Sequence, residues 1–153
     1  MIKTIALGEK EMKLKSSAAT NILYKRLFKE DLILILSEYS KNLKEIQKMQ
    51  ARMNEIRKDD TKPQEEILEE MNAILNSDAF KNANNFQSET LPKLAFIMWL
   101  EANEPVDKLF SKLTEEQYLF WLMGIDQDEL LAVTGEVMDV WQAGTKTHSK
   151  PKN

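Results

Sequence analysis

The chain of 153 residues has no cysteine and a single histidine, His148. Without cysteine there is neither a disulfide nor a thiolate. A zinc site or a Ser-His nucleophile needs several such groups held together, so both are excluded, and the Glu-x-x-His pairs of helical di-iron proteins are missing. Glycine is scarce and scattered, at Gly8, Gly124, Gly135 and Gly144, which leaves no glycine-rich phosphate loop. Apolar runs such as Leu32 to Leu36 are far too short to span a bilayer. The N-terminus lacks a basic-then-apolar signal pattern, so neither membrane insertion nor export is expected. What remains for chemistry is carboxylates. "EKEMK" and "EEILEE" read as charged turn or helix surface, so no catalytic residue, cofactor or metal is expected.

Positive charge is also missing from one long stretch. Residues 1–60 hold 13 Lys and Arg against 9 Asp and Glu, a net of +4, whereas residues 61–153 hold 8 against 16, a net of −8. Between Leu113 and Thr145 there is no Lys or Arg, while Glu115, Glu116, Asp126, Asp128, Glu129, Glu136 and Asp139 are all acidic. A field of that sign repels phosphate and favours cationic partners or the chain's own basic half, unless it is simply a solvated acidic face. "LTEEQYLFWLMGIDQDELLAVTGEVMDVW" has the outline of a helix-turn-helix but no cation to meet phosphate or base edges, so no nucleic-acid partner is expected.

What is present reads as one small helical domain, mainly α, with one N-terminal β-hairpin. "MKLKS" alternates with period two, and Ile5 and Leu7 of "IKTIAL" can share the face of Met12 and Leu14, with Gly8 in the turn. Ser16 or Ser17 is expected to cap a short helix through Phe28, with Ile22, Leu23, Leu27 and Phe28 on its apolar side. A long helix follows, from about Glu30 to Arg57, striped by Leu32, Leu36, Tyr39, Leu43, Ile46, Met49, Met53 and Ile56. Thr61 and Gln64 form a capping-box pattern before a helix burying Ile67, Met71, Ile74 and Leu75. "NSDAFKNANNFQSET" is rich in Asn and Ser and reads as a loop. Thr90 then caps "LPKLAFIMWLEAN", Pro105 opens a short helix through Lys112, and Thr114 with Gln117 repeats the capping box. Gly124 stops "EEQYLFWLM", and Asp126 starts a last helix through about Ala143. The expected domain is 1–143, with the hairpin over about 1–17. The tail 144–153, "GTKTHSKPKN", has no large apolar residue and is expected to be disordered.

An isolated hairpin is marginal in water, so this one must lean on the helices or on another subunit. Phe96, Trp99, Phe110, Tyr118, Phe120, Trp121 and Trp141 crowd the last third of the chain. Helical spacing of aromatics is usually core packing. Yet "FIMWL" and "YLFWLM" are apolar on more than one face, and surplus apolar surface points to a protein partner. The candidate partner-binding residues are therefore Ile5, Leu7, Met12 and Leu14 of the hairpin together with Phe96, Trp99, Phe120 and Trp121.

"ALGEKEMKLKSSAATNILYKRLFKEDLILIL" resembles the opening of the tail assembly chaperones of long-tailed phages and prophages of Gram-positive bacteria. Those begin with a strand, a Gly/charged turn, a second strand, an "AAT"-like cap, a Tyr-Lys/Arg-x-Phe helix and an Asp-Leu-Leu-like helix start. Tyr24, Lys25, Arg26, Phe28, Asp31 and Leu32 stand at those places. "KLAFIMWLEAN" resembles their Ala-aromatic-x-Met helix, and "EEQYLFWLMGID" and "GEVMDVWQ" their Trp-containing C-terminal helices. The chain departs from the family pattern at Lys29-Glu30, where many relatives have Gly, and over 41–86. The resemblance implies a non-enzymatic factor of the host bacterial cytoplasm, absent from the mature virion. It would coat the tape measure protein before the tail tube forms around it, with the tail tube protein as a further partner and with self-association along the polymer. It also implies two products of one gene region, a short one and a longer frameshifted one. On that reading the hairpin is a docking element, in this subunit or its neighbour, whose unpaired strand edge and apolar face complete a contact the helices cannot. The alternative is a helical adaptor or regulatory protein that binds one host or phage protein.

Overall fold

The computed structural model describes residues 2–58 and 61–145. The expected disordered tail lies outside the described residues, apart from Gly144 and Thr145, which are helical. Period-two alternation produces two antiparallel strands, β1 (Lys3–Leu7) and β2 (Lys10–Leu14), with Ile5 opposite Met12 and Lys3 opposite Leu14. Gly8 opens the two-residue turn at φ 63°, a left-handed conformation that glycine adopts without strain. The helices are α1 (Thr20–Phe28), α2 (Leu32–Lys58), α3 (Gln64–Leu75), α4 (Asp78–Asn85), α5 (Leu91–Asn103), α6 (Val106–Lys112), α7 (Glu115–Met123), α8 (Gln127–Ala132) and α9 (Thr134–Thr145), with a π turn at Phe86–Thr90. The protein is thus mainly α, with an N-terminal antiparallel hairpin.

Its internal contacts divide into two compact units, Met1–Leu32 with Gln87–Asn153, and Ile33–Phe86. In the first unit α5 is central. Leu91, Pro92, Leu94 to Met98 and Leu100 are all buried, on every side of the helix. A helix apolar all round must be enclosed, and it is enclosed by β2, α1, α6, α7 and α9. The strand exit is fastened to it directly, because the Lys15 N–H donates to the Met98 carbonyl at 3.1 Å. The Asn103 side chain donates to the carbonyls of Trp99 (2.8 Å) and Lys13 (3.3 Å), tying the end of α5 to β2.

The pleat puts Ile5, Leu7, Met12 and Leu14 on the inward face, where all four are buried. Their burial contributes roughly 1.5–3 kcal/mol each. Of the two supports expected for the hairpin, the helices or another subunit, the structure shows the helices, which removes these four side chains from the exposed surface. The hairpin's apolar face is used within the subunit, since α5 needs a cover on that side. In α1 the inward residues are Leu23, Tyr24 and Leu27, whereas Ile22 is 68% exposed. Tyr24 turns in because it meets Phe28 at 5.1 Å between ring centroids, and Phe28 meets Tyr118 at the same distance. Ala19 is the N-cap of the helix, without a side-chain hydrogen bond. Ser17 caps the turn that leads into it, its hydroxyl accepting from Ala19 N at 3.1 Å, whereas Ser16 reaches elsewhere.

In the second unit the stripe on α2 is as expected. Leu36, Ile46, Met53 and Ile56 are buried, and Tyr39, Leu43 and Met49 are half-buried. The stretch read as a loop is helical. Ser77 accepts a hydrogen bond from Phe80 N at 3.2 Å and starts α4. Ala79 and Ala83, four apart, then pack with Ile46, and Phe86 stacks on Tyr39 at 3.8 Å. A cap and a four-residue apolar period outweigh the poor helix propensity of the asparagines. Helix α3 begins after Pro63 rather than Thr61, and it buries little. Ile67, Met71 and Ile74 are half-covered, and Leu75 is exposed.

The expected last helix is two. Asp126 caps α8, accepting from Asp128 N (3.0 Å) and Glu129 N (3.2 Å), as read from the sequence. The helix then breaks at Val133, where the Thr134 hydroxyl donates to the Leu131 carbonyl at 2.6 Å, and α9 begins. Near the end of α9 the backbone at Gly144 lies against Ser16, so that a Cβ there would stand 2.5 Å from the Ser16 carbonyl carbon.

Two stability predictions follow from backbone geometry. Lys29 closes α1 at φ 61°, ψ 27°, the left-handed position that favours glycine. Lys29→Gly should therefore raise unfolding free energy by about 1 kcal/mol. Gly144→Ala should lower it by about 1–3 kcal/mol, because the added methyl meets main chain that cannot give way. Urea denaturation of both variants checks the opposite signs.

Candidate interaction surface

Three features of the first unit carry polar or exposed apolar side chains in an organised way. The first is the elbow between β2 and α1. Ser16 Oγ donates to the Val140 carbonyl in a very short hydrogen bond. The hydroxyls of Ser17 and Thr20 donate to the two carboxylate oxygens of Glu101, each at 2.6 Å. The same hydroxyls accept from Ala19 N (3.1 Å) and Ser17 N (2.8 Å), so each is used both ways. Trp141 Nε1 donates to Asn21 Oδ1 at 3.0 Å and fastens α9 to α1. Burial pushes the Glu101 carboxyl above the usual carboxylate range, against the pull of the two hydroxyls and of Lys15. This network joins four segments and is structural. Sequence reasoning passed over Glu101, although it is the only acidic residue of "LPKLAFIMWLEAN".

The second feature is the aromatic cluster. Phe96 lies 5.3 Å from Tyr118, 5.5 Å from Trp121 and 6.3 Å from Trp99, measured between ring centroids. Tyr24 is buried within the same cluster. Its hydroxyl faces Thr90 and Glu30, and burial with the Glu30 charge drives its ionisation far above the usual range. Tyr118 is pushed up to about 12 by burial and by the Glu89 charge. Of the eight candidate partner-binding residues, Phe96 joins Ile5, Leu7, Met12 and Leu14 in the core. Trp99 and Trp121 are half-buried. Only Phe120 is fully outside, at 77% exposure, and its neighbours on the outer face of α7 are Leu119 at 56% and Met123 at 86%. Leu119 and Met123 were missed. Met123 stands three after Phe120 and four after Leu119, spacings that place the three on one helical face. On α6, Val106 and Phe110 are also exposed, and the Arg26 guanidinium lies 4.9 Å over the Phe110 ring.

The third feature is a cleft of about 560 Å³ beneath the hairpin turn. Leu7, Met12, Trp99, Trp121 and Ile125 form its apolar lining, and Glu9, Glu11, Asp126 and Glu129 its acidic edge, with Lys10 as the one cation. The Glu129 carboxylate packs against Gly8, in the place a Cβ would take.

The Glu101 network makes a prediction about pH. Because the folded pKa is raised, the contribution of this group to stability is present below the ordinary carboxylate pKa. It is lost as pH rises through the folded value. Melting temperature measured across pH 4–7 should fall more with pH in the wild type than in Glu101→Gln, which cannot titrate.

The chain matches no known family model, no curated protein and no solved structure, so the likeness to tail assembly chaperones rests on the quoted segments alone.

Proposed function

We propose that the protein is a non-enzymatic tail assembly chaperone that covers the tape measure protein before the tail tube assembles. The observation that carries this reading is the outer face of α7. Leu119, Phe120 and Met123 are exposed together on a short helix whose inner face is already packed on α5. Among the described residues no helix is long and apolar enough to cross a membrane, so a bilayer-spanning role for these side chains has no support. A largely helical partner with apolar stripes fits such a face by helix-to-helix packing.

Magnitudes favour many copies over one. Burying Leu119, Phe120 and Met123 would contribute roughly 5–9 kcal/mol. Association costs roughly 4–15 kcal/mol in lost freedom and ordering. A single copy therefore binds weakly, and stable covering of a long polymer requires copies side by side, each raising the effective concentration of the next. Self-association and the tail tube protein as a further partner belong to the same proposal.

The test is co-expression with a tape measure protein, the long helical product that this reading expects from a neighbouring gene. The wild-type chain should keep that protein soluble and co-purify with it. The double variant Phe120→Glu with Met123→Glu should fold, with stability within about 0.5 kcal/mol of wild type because both positions are exposed. It should nevertheless lose co-purification. Retention by the double variant, or a wild-type chain that leaves the tape measure protein insoluble, would overturn the reading.

A further inference from the structure

We infer that the cleft beneath the hairpin turn receives a cationic side chain, lysine or arginine, from a basic amphipathic helix laid along α7. The inference rests on the interaction reading above but not on which protein the partner is. Trp99 and Trp121 stand with ring centroids 6.2 Å apart and planes at 41°, both partly open to solvent. Indole faces attract a cation, most strongly where water is excluded. Around them Glu9, Glu11, Asp126 and Glu129 outnumber Lys10 four to one.

Other occupants fit less well. An anionic ligand meets four carboxylates. A neutral apolar ligand would satisfy the indoles but desolvate the carboxylates without a partner, which is costly. A metal ion needs its ligands gathered, and among the described residues no three Asp, Glu or His side chains come together closely enough to hold one. A volume of about 560 Å³ exceeds a single lysine side chain and leaves room for the backbone turn that carries it.

Helix α7 links the cleft to the exposed face. Trp121 lines the cleft, whereas Phe120 and Met123 face solvent on the same helix. An incoming helix that sets apolar residues on Phe120 and Met123 can direct a basic residue into the cleft one turn away. No Lys or Arg between Leu113 and Thr145 opposes it.

The test uses an 18-residue peptide with leucine on one helical face and lysine on the other, and its counterpart with every lysine replaced by glutamine. Affinities are measured by calorimetry on the full chain, with tryptophan emission followed in parallel. The lysine peptide should bind saturably, shift the emission, and bind at least ten-fold more tightly than the glutamine peptide. The double variant Glu9→Gln with Glu11→Gln changes two exposed side chains of the hairpin and should weaken the lysine peptide several-fold while leaving the glutamine peptide unchanged. Equal affinity for the two peptides would overturn the inference, as would a double variant that binds the lysine peptide like wild type, or no binding at all. None of these results bears on co-purification of the tape measure protein, so failure here and failure of the proposed function can be told apart.

Discussion

A helix without a polar face has to be shielded on every side, and α5 is such a helix. The first unit is organised around that requirement. The hairpin covers one side with four side chains, α1 and α7 bring the aromatic cluster to another, and α9 packs on the helix as well. The polar links follow the same plan. The Met98 carbonyl, the Glu101 carboxylate and the Asn103 amide all lie on α5, and each holds the β2–α1 segment against it. A two-stranded hairpin too small to stand alone becomes stable because it closes a core that would otherwise be open.

The same requirement explains why one apolar segment is absorbed and the other is not. "FIMWL" lies in the middle of α5, where neighbours surround it. "YLFWLM" lies on α7, which has α5 on one side only. Tyr118 and Trp121 turn inward to Phe96, and a helix cannot turn Leu119, Phe120 and Met123 the same way. The exposed face is thus fixed by helical geometry and by the absence of a further layer among the described residues. The hairpin turn beside it adds carboxylates to the neighbouring cleft, so apolar and acidic surface meet along one short helix.

Local rules read from the sequence held where the signal was local. The hairpin, the caps at Thr114 and Asp126, the stop at Gly124 and the stripe of α2 depend on residues a few positions apart. The failures were tertiary. Ser16 and Ser17 look alike as caps, but only Ser17 accepts from a nearby N–H, that of Ala19, and both hydroxyls donate far along the chain, to Val140 and Glu101. Tyr24 rather than Ile22 faces inward because an aromatic cluster is waiting for it. The asparagine-rich stretch folds as α4 because Ala79 and Ala83 fit closely beside Ile46, a contact that composition does not reveal. Among the candidate partner residues, side-chain type could not tell core from surface, and only burial separates Leu14 and Phe96 from Phe120.

The first unit is discontinuous in the chain, since residues 33–86 are inserted between its two parts. During synthesis the hairpin leaves the ribosome well before the helix that covers it. At a typical 5–20 residues per second, the interval between Leu14 and the end of α5 lasts roughly 4–18 s. For that time Ile5, Leu7, Met12 and Leu14 have no native partner, and the elbow at Ser16 waits longer still for Val140. Completion of this core is therefore a late, non-local event, slow by the measure of contact order. A chain truncated before α5 would present the hairpin's apolar face to its surroundings as a hazard rather than as a cover.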